Sequence, residues 1–270
     1  MTNAFLTREA APIGDGLWEL LDKTTLGVAR SELAGRRLLE IDGPYGLGLK
    51  DVALTDEEVA DGVFVGATLP LTYIQRRFAL YARDLAAFEQ EPSSLDLMPL
   101  VAATLDVAHM EDELIFRGTS RTAGLTNAKG TLSVSLSDWT GVGAAQGDFI
   151  AAINALDAAG FHGPYAVALS PARYNLLLRR FETAAVSELD VVGSMATAGV
   201  FKASSLEDGG VILQAGKEFA HLVIGQDMSL GFNGPVEGKL EFYVAESLAA
   251  RIVVPQAVCA LKAGGRRKAG

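Results

Sequence analysis

The side chains able to do chemistry are few: three imidazoles, His109, His162 and His221, and one thiol, Cys259, in a chain of 270 residues. Nucleophilic hydrolysis needs a base within reach of its nucleophile, and no histidine lies beside a Gly-x-Ser-x-Gly elbow or another recognisable local arrangement. Each imidazole therefore reads as structural, with His162 in a turn and His221 in a strand. A single cysteine cannot close an intrachain disulfide, and the apolar sequence around Cys259 suggests a buried strand thiol.

Metal chemistry fares no better. Asp106-x-x-His109 followed by Glu113 has part of the spacing of a di-iron bundle, but such sites need paired Glu-x-x-His motifs and further glutamates on facing helices. No metal is expected, and Asp112 and Glu113 read as polar anchors at the end of a helix. The spacing Gly141-x-Gly143-x-x-x-Gly147 is wrong for a dinucleotide fingerprint, and Gly46-x-Gly48 is shorter still, so both read as turns. No cofactor is expected.

Composition bounds the class. With 49% apolar residues and a mean hydropathy of +0.24, the chain has ample material for a core. Its longest apolar stretches, 17–21 and 249–255, fall far short of the roughly 20 residues that a membrane span requires. The N-terminus lacks a basic segment followed by a long apolar one, which with the lone cysteine fits a soluble cytoplasmic protein. A net charge of -10 argues against a nucleic-acid partner, since such binding draws on Lys and Arg displacing counterions. The one basic cluster, 262–268, reads as a solvated tail.

The elements follow from periodicity. Residues 15–35 form an amphipathic helix with Leu17, Leu21 and Val28 on one face, Asp15 as its cap and Gly35 as its end. Residues 46–81 turn strand-like, with a charged turn at 56–62 between two arms. Such a ribbon has little core of its own and needs a neighbour. Residues 95–117 place apolar side chains on more than one seam, so that helix is buried. A helix from Asp148 to Gly160, a strand at 166–169 and a helix capped by Ser170 and opened by Pro171 form an α/β lobe. Strand patterns follow at 211–214, 219–225, 239–245 and 251–261, the last made an edge, a bend or two strands by Pro255.

Four segments carry a family resemblance in their order and spacing: Gly43-Pro44-Tyr45-Gly46, the run 111–118, Gly163-Pro164-Tyr165, and the run 224–232. Together they resemble the encapsulins, bacterial proteins that share the Hong Kong 97-type fold of tailed-phage capsids and assemble into cargo-filled shells. The resemblance spans about residues 11–261. It implies an α+β capsid-like fold and an icosahedral homo-oligomer with no enzymatic activity of its own. The implied organisation is an N-terminal helix and start of a peripheral domain (1–46), an extended hairpin (47–80), the peripheral domain with its spine helix (81–136), an axial domain (137–222), peripheral return strands (223–262) and a flexible tail (263–270).

The same resemblance implies a groove for the C-terminal targeting peptide of a cargo protein, lined by Val28, Leu33, Arg36, Glu40 and Leu230. The loop 184–190 falls where encapsulin subunits gather around a fivefold pore, making Glu188 and Asp190 candidate pore carboxylates. Ferritin-like proteins or dye-decolorising peroxidases are the implied cargo, with iron storage and oxidative-stress defence as the implied roles. Arg83 stands where some relatives carry a flavin-stacking tryptophan, so no flavin is expected. A prophage major capsid protein is the alternative within the fold, and a free-standing hydrolase is the alternative outside it.

Overall fold

The computed structural model describes residues 4–91, 95–182 and 185–263. Along the chain run α1 (Asp15–Glu32), α2 (Gly35–Leu38), β1 (Glu40–Asp42), β2 (Asp51–Ala53), β3 (Glu57–Ala60), β4 (Val63–Val65), β5 (Thr68–Pro70) and β6 (Thr72–Tyr81). Next come α3 (Ala82–Gln90), α4 (Met98–Phe116), β7 (Leu132–Leu136), α5 (Ala144–Ala158), β8 (Tyr165–Leu169), α6 (Pro171–Leu176) and α7 (Glu188–Met195). The chain ends with β9 (Gly199–Lys202), β10 (Gly210–Gln214), β11 (Ala220–Ile224), β12 (Ser229–Val236), β13 (Lys239–Ile252) and β14 (Val258–Ala263).

The chain forms two compact units. The first takes residues up to Leu33, Gly43–Glu111 and Ile224–Ala249, and its sheet is built on β13. There β13 pairs antiparallel with β12 on one side and β6 on the other, placing Phe242 opposite both Phe232 and Phe78. The three rings form a row with centroids 5.4 and 5.5 Å apart, and Trp18 of α1 meets Phe242 edge-on at 5.6 Å. Helix α1 lies there because Leu17, Trp18, Leu21, Thr25 and Ala29 recur at helical spacing and are buried, while Glu19, Asp22, Lys23 and Arg30 face water.

The hairpin departs from this pattern. Strand β2 pairs with β5 and β3 with β4, yet no residue from 51 to 70 is buried. Val59, Val63, Phe64 and Val65 are 51–62% exposed. The charged turn expected at 56–62 is mostly strand β3, and only Asp61 and Gly62 turn the chain.

The second unit takes residues 34–42, 112–223 and 250 onward. Its five-stranded sheet runs β7-β14-β10-β8-β9, with β10 antiparallel to β8 and β14, and β7 and β9 parallel to their neighbours. Helix α5 covers it, burying Ala145, Phe149, Ala152 and Leu156 against Val167, Leu169, Ile212 and Cys259. Ser170 accepts the Arg173 N–H and Pro171 opens α6, as its sequence predicts. Pro255 divides the last strand pattern by a 3-10 turn at Pro255–Ala257.

Three boundaries differ from expectation. Helix α1 stops at Glu32, before Gly35, and Gly14 rather than Asp15 is its N-cap. The helix expected from Asp148 starts one turn earlier, at Ala144. From Ala185 the expected loop runs only to Ser187, where a capping box with Asp190 begins α7. Most of the basic tail, 264–270, lies outside the described residues, as does Ala184.

Candidate functional site

Each of the three imidazoles lies near a carboxylate. His109 Nε2 lies 3.7 Å from Glu32 Oε2 on the surface of the first unit. His162 Nδ1 lies 3.1 Å from Asp157 Oδ1, an atom that also accepts the Tyr165 hydroxyl at 2.7 Å. The Tyr165 and His162 contacts hold the Asp157 carboxyl below the usual Asp value, while burial and the facing carboxylate push the Tyr165 hydroxyl well up. This set ties the end of α5 to the start of β8. His221 is buried, donates from Nδ1 to the Lys217 carbonyl at 2.7 Å and has Asp42 3.9 Å from Nε2. Among the described residues no group of three or more His, Cys, Asp or Glu side chains could hold a metal.

Surfaces, then, are what this chain offers. The candidate peptide-binding residues divide between the units: Val28, Leu33 and Leu230 belong to the first, Arg36 and Glu40 to the second. Within the first unit Leu33 is 5% exposed, buried with Ala29 and Ala108, and Leu230 is 1% exposed. Both side chains are almost wholly packed inside the unit. Val28 is half-buried, and Leu26, two residues before it and on another side of the helix, is 51% exposed. Met228 packs against the Ala29–Leu33–Ala108 cluster while staying half-exposed, and its N–H donates to Asp227 Oδ1 at 2.8 Å. Sequence reasoning passed over Met228, although it stands inside the run 224–232 that carried the resemblance. Arg36 is half-buried in α2 and Glu40 is exposed in β1.

The two candidate pore carboxylates differ from each other. Glu188 is 1% exposed, its Oε2 2.9 Å from Arg179 Nη2 and its Oε1 accepting the Gly143 N–H at 2.7 Å. Arg179 also donates to the carbonyls of Trp139 and Thr140, at 2.9 and 3.2 Å. In this chain Glu188 is buried, and its charge ties the turn before α5 to the start of α7. Asp190 remains exposed, although its Oδ2 accepts from the Ser187 hydroxyl and N–H at 2.6 and 2.8 Å. Those bonds hold the Asp190 carboxyl below its ordinary value.

The run Gly43–Gly46 is fixed against the run 224–225. Tyr45 N–H donates to the Ile224 carbonyl at 3.0 Å and Gly46 N–H to the Gly225 carbonyl at 2.6 Å. Gly43 is in the left-handed half of backbone space, at φ 124°, and a Cβ there would stand 2.4 Å from the Ile224 carbonyl oxygen. Two segments far apart in sequence thus share one backbone contact, with Tyr45 left 60% exposed.

Comparison with known proteins identifies this arrangement. The chain matches the Linocin_M18 family, described as encapsulating protein for peroxidase, over residues 2–249. A type 1 encapsulin shell protein of Myxococcus xanthus is 34% identical over 281 residues, covering 97% of each chain. A solved virus-like particle from Pyrococcus furiosus is similar with a TM-score of 0.75 at 20% identity, covering 91% of this chain and 99% of that one. The capsid of Myoviridae phage XM1 is similar with a TM-score of 0.55 at 12% identity, covering 83% and 89%. The fold is the α+β Hong Kong 97-type capsid fold.

Proposed function

This chain belongs to the encapsulin shell-protein family, and on that premise we propose that it encloses a cargo enzyme which it recognises by a C-terminal targeting peptide. As an encapsulin shell protein it forms a capsid-like cage, and its family is a structural one. The observation that carries the reading is the hairpin from 51 to 70, which has apolar side chains on an extended ribbon and not one buried residue. An isolated two-stranded ribbon is marginal in water, so its apolar faces are completed by other copies of the chain.

The cargo we assign is a peroxidase, named in the description of the family, or a ferritin-like protein, giving a role in oxidative-stress defence or iron storage. The compartment is placed in the bacterial cytoplasm. Val28, half-buried on α1, takes the apolar part of the peptide. Arg36 and Glu40 keep the polar role that the resemblance gives them. Binding of one peptide is weak and is strengthened when a cargo oligomer presents several at once. The organisation into an extended hairpin (47–80) and an axial lobe (137–222) follows the same reading. With a net charge of -10, the shell is suited to protein cargo rather than a genome.

The test is electron microscopy of the purified protein, with and without a co-expressed peroxidase or ferritin-like partner ending in its own C-terminal peptide. Closed particles that retain the partner only when that peptide is present are expected. A compact monomer at high concentration, still folded, would overturn the shell reading.

A further inference from the structure

We propose that the second unit carries a binding site for a small phosphate ester, its phosphate group taken between Arg117 and Lys262. The site does not depend on the shell reading. In a chain with a net charge of -10, two cations sharing one cleft without a firm partner stand out.

A cleft of about 270 Å³ opens where the loop 203–209, strand β14 and the segment after α4 meet, lined by Arg117, Thr126, Leu206, Asp208, Ala260 and Lys262. All of these residues belong to the second unit. The loop can run against β14 because Gly209, at φ 82°, has no side chain: a Cβ there would stand 2.2 Å from the Leu261 carbonyl oxygen. Along β14 side chains alternate, so Cys259 and Leu261 face the core under α5 while Ala260 and Lys262 take the other face. Leu206 and Ala260 are buried and give the cleft an apolar wall.

Neither cation is firmly held. Lys262 is exposed, and among the described residues no carboxylate pairs with it. Arg117 presents both Nη1 and Nη2 to a single oxygen, Glu207 Oε1, each at 3.3 Å. The Glu207 side chain is 87% exposed, so this pair contributes little and exchanges readily. Its carboxylate marks where an oxyanion would sit. A phosphate group offers the guanidinium fork two oxygens in parallel and leaves a third for Lys262. The groups that would repel it are already engaged. Asp208 Oδ1 accepts from Arg173 Nε and from the Gly209 N–H, both at 2.7 Å, and its Oδ2 lies 3.4 Å from Arg173 Nη2. At the end of α4 the Phe116 carbonyl accepts the Thr126 N–H at 3.0 Å and hydroxyl at 2.7 Å, and the Arg117 carbonyl accepts from Asn127 Nδ2 at 2.8 Å. Other cations of the unit are committed, Arg179 to Glu188 at 2.9 Å and Lys217 to Asp42 at 2.7 Å. The apolar wall beyond the two cations favours an ester with a small organic part over the free ion.

Equilibrium dialysis of the purified full chain at low salt tests the site, with radiolabelled glycerol 3-phosphate as one probe and inorganic phosphate as the other. Saturable binding of the ester at one per subunit is expected, with inorganic phosphate bound more weakly. Arg117→Gln and Lys262→Gln are each expected to weaken ester binding about tenfold, because each removes one of the two charges on the phosphate. Glu207→Gln is expected to strengthen it about threefold, because it removes the competing carboxylate. All three side chains are exposed, and circular dichroism checks that each variant folds. Absence of saturable binding to the parent chain overturns the site, as does unchanged affinity in Arg117→Gln or Lys262→Gln, or weaker binding in Glu207→Gln. Inorganic phosphate bound as tightly as the ester overturns the assignment of an ester.

Discussion

The Asp112 carboxylate grips Gly35 through its backbone, Oδ1 accepting the Gly35 N–H at 2.8 Å while Oδ2 accepts the Ala34 N–H at 3.0 Å. Both residues are buried, and α2 begins at that point. A charged acceptor taking two backbone donors at the start of a helix satisfies groups that otherwise lack partners. Asp112→Ala would leave both N–H groups buried and unpaired, so it is expected to cost about 3 kcal/mol. The urea midpoint of unfolding measures it, and an unchanged midpoint would contradict the role.

Gly35 shows what sequence could and could not tell. A glycine after an amphipathic run reads as a helix end, and the chain does leave α1 nearby, but Gly35 also sits where a Cβ would force the buried Ile115 side chain to shift. A Cβ would stand 2.3 Å from Ile115 Cδ1. Gly35→Ala is therefore expected to destabilise by about 1–3 kcal/mol through overpacking, with little change from added helix propensity. Calorimetry of the variant checks the sign, because a stabilising effect would favour the helix-end reading.

The elements with strong local signals were legible: α1 and α4 from their apolar spacing, the Ser170-Pro171 start of α6, and the glycine-rich runs that placed the family. Less legible were strands such as β7, where Ser133 and Ser135 alternate with Leu132 and Val134 and long-range pairing with β14 decides the structure. The candidate site was legible as a set of positions but not as accessible surface. Leu33 and Leu230 look the same in sequence whether they line a groove or pack inside the unit, and Glu188 looks like any loop acid until Arg179 is seen beside it.

Glu188→Gln would remove the charge that faces Arg179 while keeping an acceptor for the Gly143 N–H. Breaking a mostly buried ion pair leaves the other charge uncompensated, and the expected loss is about 3 kcal/mol. Thermal unfolding of the dissociated subunit measures it. A variant as stable as the parent, with altered cation entry into loaded particles, would return Glu188 to the pore.

Acid should loosen the second unit at two places first. Asp157 sits below the ordinary Asp value of 3.8 chiefly through the Tyr165 hydroxyl, then His162, and Asp190 does so through the Ser187 hydroxyl, then its N–H. A depressed folded pKa means that the stabilisation is fully present above the ordinary value and is lost as pH falls through the folded one. Hydrogen exchange between about pH 5 and pH 3 is expected to show the end of α5 and the start of α7 opening before the strands, a difference that Asp157→Asn and Asp190→Asn remove.

Cys259 lies in β14, fully buried, and burial pushes its thiol up to about 11. The thiolate is the reactive form, so at neutral pH the folded chain offers a thiol reagent neither access nor the right species. No labelling is expected in native particles at pH 8, with one equivalent labelled after unfolding in denaturant. Rapid labelling of the native protein would place this strand nearer to solvent than the structure has it.

Cargo loading separates the open groups from the buried one. Leu230→Asp buries a charge where Leu230 is 1% exposed, so it is expected to prevent folding or assembly and says nothing about cargo. Val28→Asp places the charge on a half-buried helix position, and Arg36→Glu reverses one that is also half-buried. Both are expected to give normal particles with at least tenfold less copurified cargo, since each weak contact is multiplied over a cargo oligomer. Full loading in both variants, with particles of normal size, would move the peptide to another part of the inner wall.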